Sequence, residues 1–231
     1  MTFHVLTIFP EFFRGPLECG VVGKAIQSGF LKAVLHDLRN WTFDRHRSVD
    51  DRPFGGGEGM VLKPEPVFLA AETIFRRRDP SRQRIVLLSA TGKLFDQRLA
   101  RQFGEFEEVL LICGRYEGVD ERVSQCLADE EISIGNYVLS GGELAAAVVV
   151  DAVARLIPGV LGNEDSSINE SFTADSLDWP HYTRPAVFRG ESVPELLLGG
   201  DHAAIARWRR EAALLKTRRS RPDLAPENRE K

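Results

Sequence analysis

The chain has 231 residues, of which 43% are hydrophobic and 28% charged, enough for one large domain, or a main domain with a smaller one attached, around a real core. No apolar run approaches the roughly 18 residues of a membrane span, the N-terminus lacks a basic leader and cleavage pattern, and three cysteines show neither metal-ligand spacing nor an even count for disulfides. A reducing cytoplasm is the expected setting, and the net charge of −4 excludes a generic polyanion binder.

In chain order, short apolar runs alternate with helix-like stretches, the pattern of an α/β domain with a largely parallel sheet. Strands are predicted at residues 3–8, 31–35, 85–89, 109–113 and 132–134. Helices are predicted after Pro10, over 66–77, from near Leu94, and from Gly142 to about Leu156, where Pro158 and Gly159 stop the last one. Its apolar run 144–150, between Glu143 and Asp151, reads as a buried helix. Residues 40–59 have no clear period and read as a long functional loop.

After Gly159 the composition changes. Residues 162–183 are polar and without helical or strand period, which predicts a linker. Beyond it, 194–198 and 203–215 predict a small helical domain whose second helix is capped by Asp201 and carries Arg207, Arg209 and Arg210. The expected division is therefore 1–161, 162–183 and 184–231, with no internal repeat. Basic residues gather in two places: seven Lys or Arg against one acid over 206–221, and Arg76 to Arg78 with Arg82 and Arg84. Each cluster is either a solvated face or a binding surface.

Familiar catalytic signatures are missing. Gly92-Lys93 follows a strand but lacks the upstream glycine and the Ser/Thr of a phosphate-binding loop, and no G-x-S-x-G or H-E-x-x-H string occurs. Glycine-rich loops do follow predicted strands. Gly114-Arg-Tyr-Glu-Gly-Val-Asp-Glu-Arg122 comes after the fourth strand and Ser133-Ile-Gly-Asn-Tyr-Val-Leu-Ser-Gly-Gly-Glu143 after the fifth. Glycine lets a backbone turn sharply and approach a ligand closely, and α/β folds bind ligands at the carboxyl ends of their parallel strands. One such loop reads equally as a tight turn; two of them about twenty residues apart favour a shared pocket. A third glycine cluster, Gly55-Gly-Gly-Glu-Gly59, sits in the long loop.

These strings resemble those of the bacterial tRNA (guanine-N(1))-methyltransferases, a family of the trefoil-knot, or SPOUT, methyltransferases. The matching segments also include Phe9-Pro-Glu11, Arg52-Pro-Phe-Gly-Gly-Gly-Glu-Gly-Met60, Arg155-Leu-Ile-Pro-Gly-Val-Leu161 and Pro180-His-Tyr-Thr-Arg-Pro185, in order over nearly the whole chain. The resemblance implies an α/β domain with a deep C-terminal trefoil knot, followed by a small helical tRNA-binding domain. It implies S-adenosylmethionine held bent in the knot by backbone atoms. The positions expected to hold it are Leu88, Ser89, Gly114, Tyr116, Glu117, Gly118, Ile134, Gly135, Asn136, Tyr137, Val138, Leu139, Gly141 and Gly142. It further implies a homodimer with a shared active site, tRNA as partner, no membrane, and as target the guanosine just 3′ of the anticodon, preceded by another guanosine.

Methylating N(1) of neutral guanine needs a base for its proton and a cation near the carbonyl oxygen where charge grows. By the resemblance the base is Glu170, in Asn169-Glu-Ser-Phe172, and the cation is Arg155. Relatives often carry Asp at both the Glu170 and the Asn136 positions; glutamate is one methylene longer, and asparagine removes a charge near the sulfonium donor. Without the resemblance, Glu170 reads as a solvated linker acid and Arg155 as a cation offsetting a helix dipole. Arg207, Arg209, Arg210 and Lys216 become expected phosphate contacts, with base flipping to bring the guanine in. A divalent metal stays open. Three other readings compete: the same fold without catalysis, a knotted enzyme acting on ribosomal RNA or a ribose hydroxyl, and a dinucleotide-binding oxidoreductase, which lacks its glycine fingerprint.

Overall fold

The computed structural model describes residues 1–162, 170–172 and 176–224. Residues 163–169 and 173–175 of the expected linker, and 225–231 of the expected C-terminal domain, lie outside the described residues. The chain forms two compact units, Met1–Gly162 and Asn163–Lys231.

In the first unit, strand β1 (Thr2–Thr7) is followed by a 3-10 turn (Pro10–Phe13) and by helices α1 (Arg14–Glu18) and α2 (Gly20–Gln27). Strand β2 (Lys32–Asp37) comes next. A two-stranded ribbon, β3 (Asp50–Asp51) with β4 (Val61–Leu62), leads into α3 (Pro64–Ile74) and the long β5 (Gln83–Leu94). Helix α4 (Gln97–Gly104), β6 (Glu108–Cys113), α5 (Glu121–Cys126), β7 (Glu130–Ser133) and α6 (Glu143–Ala154) complete it. The five strands β2-β1-β6-β5-β7 make one parallel sheet.

The continuous apolar runs of the central strands follow from burial on both faces. Along β6, Val109, Leu111 and Cys113 enter one apolar cluster with α2, α4 and α6, while Leu110 and Ile112 enter another with α3 and α5. In β5, Val86 and Leu88 alternate with Ile85 and Leu87 in the same way.

Several elements depart from expectation. The helix predicted from near Leu94 starts at Gln97, because Asp96 caps it, its side chain accepting from the Leu99 amide at 2.8 Å. Strand β5 takes up the residues before it by looping out: its pairing with β7 jumps from Leu88 to Lys93, both opposite Ile132. Gly92 permits the return, since a Cβ there would lie 2.3 Å from the Ile132 nitrogen. Helix α6 is buried on one side only; Leu144 and Val148 are 50% and 46% exposed. The short α5 and the ribbon β3-β4 are too brief to leave a periodic signal.

The second unit contains the hairpin β8 (Val187–Phe188) with β9 (Glu191–Ser192), and helices α7 (Glu195–Leu198) and α8 (His202–Ser220). Asp201 caps α8 through the Ala204 amide, at 3.0 Å. Residues just before the hairpin are tied to that helix: the Leu177 amide donates to Thr217 Oγ1 at 2.9 Å, and Lys216 Nζ donates to Asp178 Oδ1 at 3.1 Å.

Candidate active site

The excursion of β5 and the carboxyl ends of β6 and β7 open into a cavity of about 360 Å³, within the range of small-molecule sites. Three loops line it: the excursion of β5, the segment after β6, and the segment between β7 and α6. Leu88, Ser89, Gly114, Tyr116, Glu117, Gly118, Ile134, Gly135, Tyr137, Val138, Leu139, Gly141 and Gly142 all face it. Asn136, exposed, is the one expected donor contact that does not.

The loops hold each other by backbone. The Gly142 amide donates to the Gly114 carbonyl at 2.9 Å, and a Cβ on Gly142 would lie 2.8 Å from Cys113 Cα, so this approach requires glycine. Strand β4 edges the segment after β6, with the Glu117 amide donating to Met60 O at 2.9 Å and the Leu62 amide to Gly118 O at 3.0 Å. The glycine cluster 55–59 is thereby joined to the cavity wall through the adjoining Met60.

A buried ion pair braces the same loops. Glu143, 1% exposed at the start of α6, accepts from Arg115 Nε at 3.0 Å and from Thr7 Oγ1 at 2.7 Å. Arg115 also donates from Nη1 to the Ser140 carbonyl at 3.0 Å and lies 4.6 Å over the Phe9 ring. A buried carboxylate of this kind is tolerable only with its partners in place. On the opposite wall, Thr91 Oγ1 donates to Glu131 Oε1 at 2.6 Å and Ser124 Oγ to Oε2 at 2.9 Å. Burial pushes the Glu131 carboxyl upward, but the hydroxyls of Thr91, Ser89 and Ser124 outweigh it and hold it below its ordinary value. Sequence reading missed Arg115, Glu143, Thr91 and Glu131. Arg115 and Glu143 stand inside the glycine-rich strings, where charges read as solvated, and Thr91 falls in the excursion that the regular strand pattern hides.

Of the two expected catalytic groups, the one in the first unit, Arg155, is not in this cavity lining. Arg155 is the half-buried C-cap of α6, about 20 Å along the helix from Gly142. Glu170 is half-buried in the second unit. Cys113 offers no nucleophile, because burial pushes its thiol well above its ordinary value. The two basic clusters differ: Arg78, Arg82 and Arg84 pair with Asp129, Glu107 and Glu130, whereas Arg207, Arg209 and Arg210 are exposed on α8. Among the described residues, no group of three or more His, Cys, Asp or Glu could hold a metal ion, and no helix is long and apolar enough to cross a membrane.

The family model described as tRNA (Guanine-1)-methyltransferase TrmD matches residues 1–227. The chain is 55% identical to a tRNA (guanine-N(1)-)-methyltransferase of Koribacter versatilis, with 97% of this chain and 92% of the relative covered. Proteins of the same description from Geobacter metallireducens and Heliobacterium modesticaldum are 50% and 52% identical, again over 97% of this chain and over 91% and 84% of the relatives.

Proposed function

Because this chain belongs to the tRNA (guanine-1)-methyltransferase family, we propose that it transfers a methyl group from S-adenosylmethionine to N(1) of the guanosine immediately 3′ of the anticodon. The observation that carries the reading is the convergence of the expected donor-binding residues, from three separate segments, on one cavity at the excursion of β5 and the carboxyl ends of β6 and β7. Backbone groups of the glycine-rich loops fit a ligand held by main-chain contacts, and the apolar Leu88, Ile134 and Leu139 beside them fit an adenine. The family's trefoil knot is part of the same reading, supported by the mutual packing of the segments around Gly114 and Gly142.

The donor, when bound, supplies an electrophilic methyl. Glu170, in the expected linker, takes the N(1) proton as the new N–C bond forms and the S–C bond breaks, and Arg155 stabilises charge growing on the guanine carbonyl oxygen. Arg207, Arg209 and Arg210 contact tRNA phosphates, whereas Lys216, also expected there, is held by Asp178.

A homodimer assembles these parts. Leu144, Val148, Asp151 and Arg155 follow the i, i+4, i+7, i+11 spacing of one helix face, and its first two residues are exposed and apolar. Antiparallel pairing of this stripe with its own copy, centred between Val148 and Asp151, sets Arg155 opposite Leu144 of the second copy, two residues from the cavity-lining Gly142. Tyr137 and Val138, 54% and 89% exposed at the cavity mouth, add apolar area to the same contact. Cytoplasmic location goes with the tRNA substrate.

The test is transfer of labelled methyl from S-adenosylmethionine to two transcripts of one tRNA, with guanosine or adenosine 3′ of the anticodon. Incorporation into the guanosine transcript alone is expected. Equal incorporation into both, or into neither by folded, donor-binding protein, refutes the assignment.

A further inference from the structure

The second unit holds a cavity of its own, about 420 Å³, formed by the segment before β8 together with α7 and α8. Its walls carry the aromatic faces of Trp179, Tyr182 and Trp208, with His181, and the guanidiniums of Arg184 and Arg209. Among the described residues no carboxylate lines it. The Arg209 guanidinium lies 4.8 Å over the Trp179 ring, and the Tyr182 and Trp208 rings are 6.4 Å apart. Two of the chain's three tryptophans are committed here, in a unit whose described residues bury only Thr217. Tyr182 keeps 51% of its surface open.

Flat aromatic walls beside unopposed guanidiniums suit one class of ligand well. An unstacked nucleobase presents a planar face for stacking and a phosphate for the cations, and every base has such a face. An apolar peptide would use the aromatic walls but leave both guanidiniums without an anion. A stable RNA duplex would offer phosphates but no free base face. The exposed Arg207 and Arg210 on the same helix extend the positive field away from the cavity, along which a strand backbone can run.

Given the tRNA substrate proposed above, on which this rests, we infer that the cavity is a second base-binding site. It takes one unpaired nucleotide of the tRNA other than the guanosine to be methylated, stacked against Trp208 and Trp179 with its phosphate at Arg184 or Arg209. The second unit thus reads the loop by capturing an extruded base, in addition to contacting phosphates.

An anticodon stem-loop RNA in which one unpaired nucleotide at a time is replaced by an abasic residue, the acceptor guanosine kept, tests this. Binding is measured for the wild type, Trp208→Ala and Trp208→Phe, with circular dichroism and thermal unfolding confirming the fold of each. At one loop position, loss of the base should weaken wild-type binding about tenfold, the order of one aromatic stack. The same replacement should cost nothing further in Trp208→Ala, and Trp208→Phe should restore the sensitivity. A uniform loss across all positions in Trp208→Ala, or no position that separates it from the wild type, overturns the base site. Continued methylation of the intact RNA by the wild type leaves the methyltransferase reading standing in that event. A wild type that neither binds nor methylates the intact RNA removes both.

Discussion

The two units spend their apolar residues differently. The first covers both faces of a five-stranded sheet, with Phe3, Val5, Leu110, Leu111 and Ile112 all 1% exposed or less. The second, among its described residues, buries Thr217 alone and leaves Tyr182, Val187, Phe188, Leu198 and Leu215 more than half exposed. The first unit's side chains make a core that fixes the loops around a cavity. The second unit's make a surface. The groups proposed for one reaction therefore stand on separate frames: the cavity proposed for the donor in the first unit, Arg155 at the far end of α6, and Glu170 with the basic helix in the second.

Substitutions on each side of this divide should separate binding of the donor from use of the acceptor. The largest effect is expected from Glu170→Gln, which keeps size and removes the base. Turnover should fall about 10² to 10⁴-fold with donor affinity unchanged by calorimetry. Wild-type turnover would remove Glu170 from the base role. In the first unit, Arg115→Ala leaves Glu143 buried without its cation. A loss of about 3 kcal/mol of stability is expected, with weaker donor binding because Ser140 and the loop it holds are released. Unchanged unfolding by heat and denaturant would contradict this reading of the ion pair.

Smaller effects follow on the second unit. Arg207→Ala with Arg210→Ala should weaken tRNA binding and reduce the slope of log affinity against log salt by about two, leaving donor affinity alone. An unaltered slope would return these arginines to the solvated-face reading. The smallest effect concerns pH and the first unit's core. His4 and His36 meet through Nδ1 and Nε2 at 2.9 Å, stacked, with Phe75 and Trp41 beside them. Burial, with His4 adding to it, lowers His36 from 6.5 to about 4, and burial lowers His4 as well. The unfolded chain then binds more protons than the folded one between these values. Stability is fully present above pH 6.5 and is lost as pH falls toward 4. His36→Asn should flatten the melting temperature over that window, and an equally steep decline would assign the effect to His4 or to carboxylates.

The parallel sheet and its strands were legible because two-sided burial writes itself as unbroken apolar runs such as 109–113. The glycine-rich loops were legible because sharp backbone turns at strand ends admit few other residues. What escaped was set by tertiary contact. The β5 excursion depends on Gly92 passing over Ile132, a long-range fact. Glu143 is buried because Arg115 and Thr7, 28 and 136 positions away, converge on it. One stripe of α6 is exposed although its sequence is apolar almost throughout, and the second cavity joins residues from 179 to 209 that show no shared period.

That exposed stripe of α6 makes the assembly testable directly. Two inactive variants are mixed under subunit exchange: Arg155→Ala, and Ala90→Trp, which fills the donor cavity and is verified by loss of donor binding. A site shared between copies is intact once in every mixed dimer, when the Arg155 of one copy serves the cavity of the other. Equal mixing should then recover about one quarter of wild-type activity. Mixed dimers that form, yet show no activity above the separate variants, would contradict a reaction centre assembled from two copies.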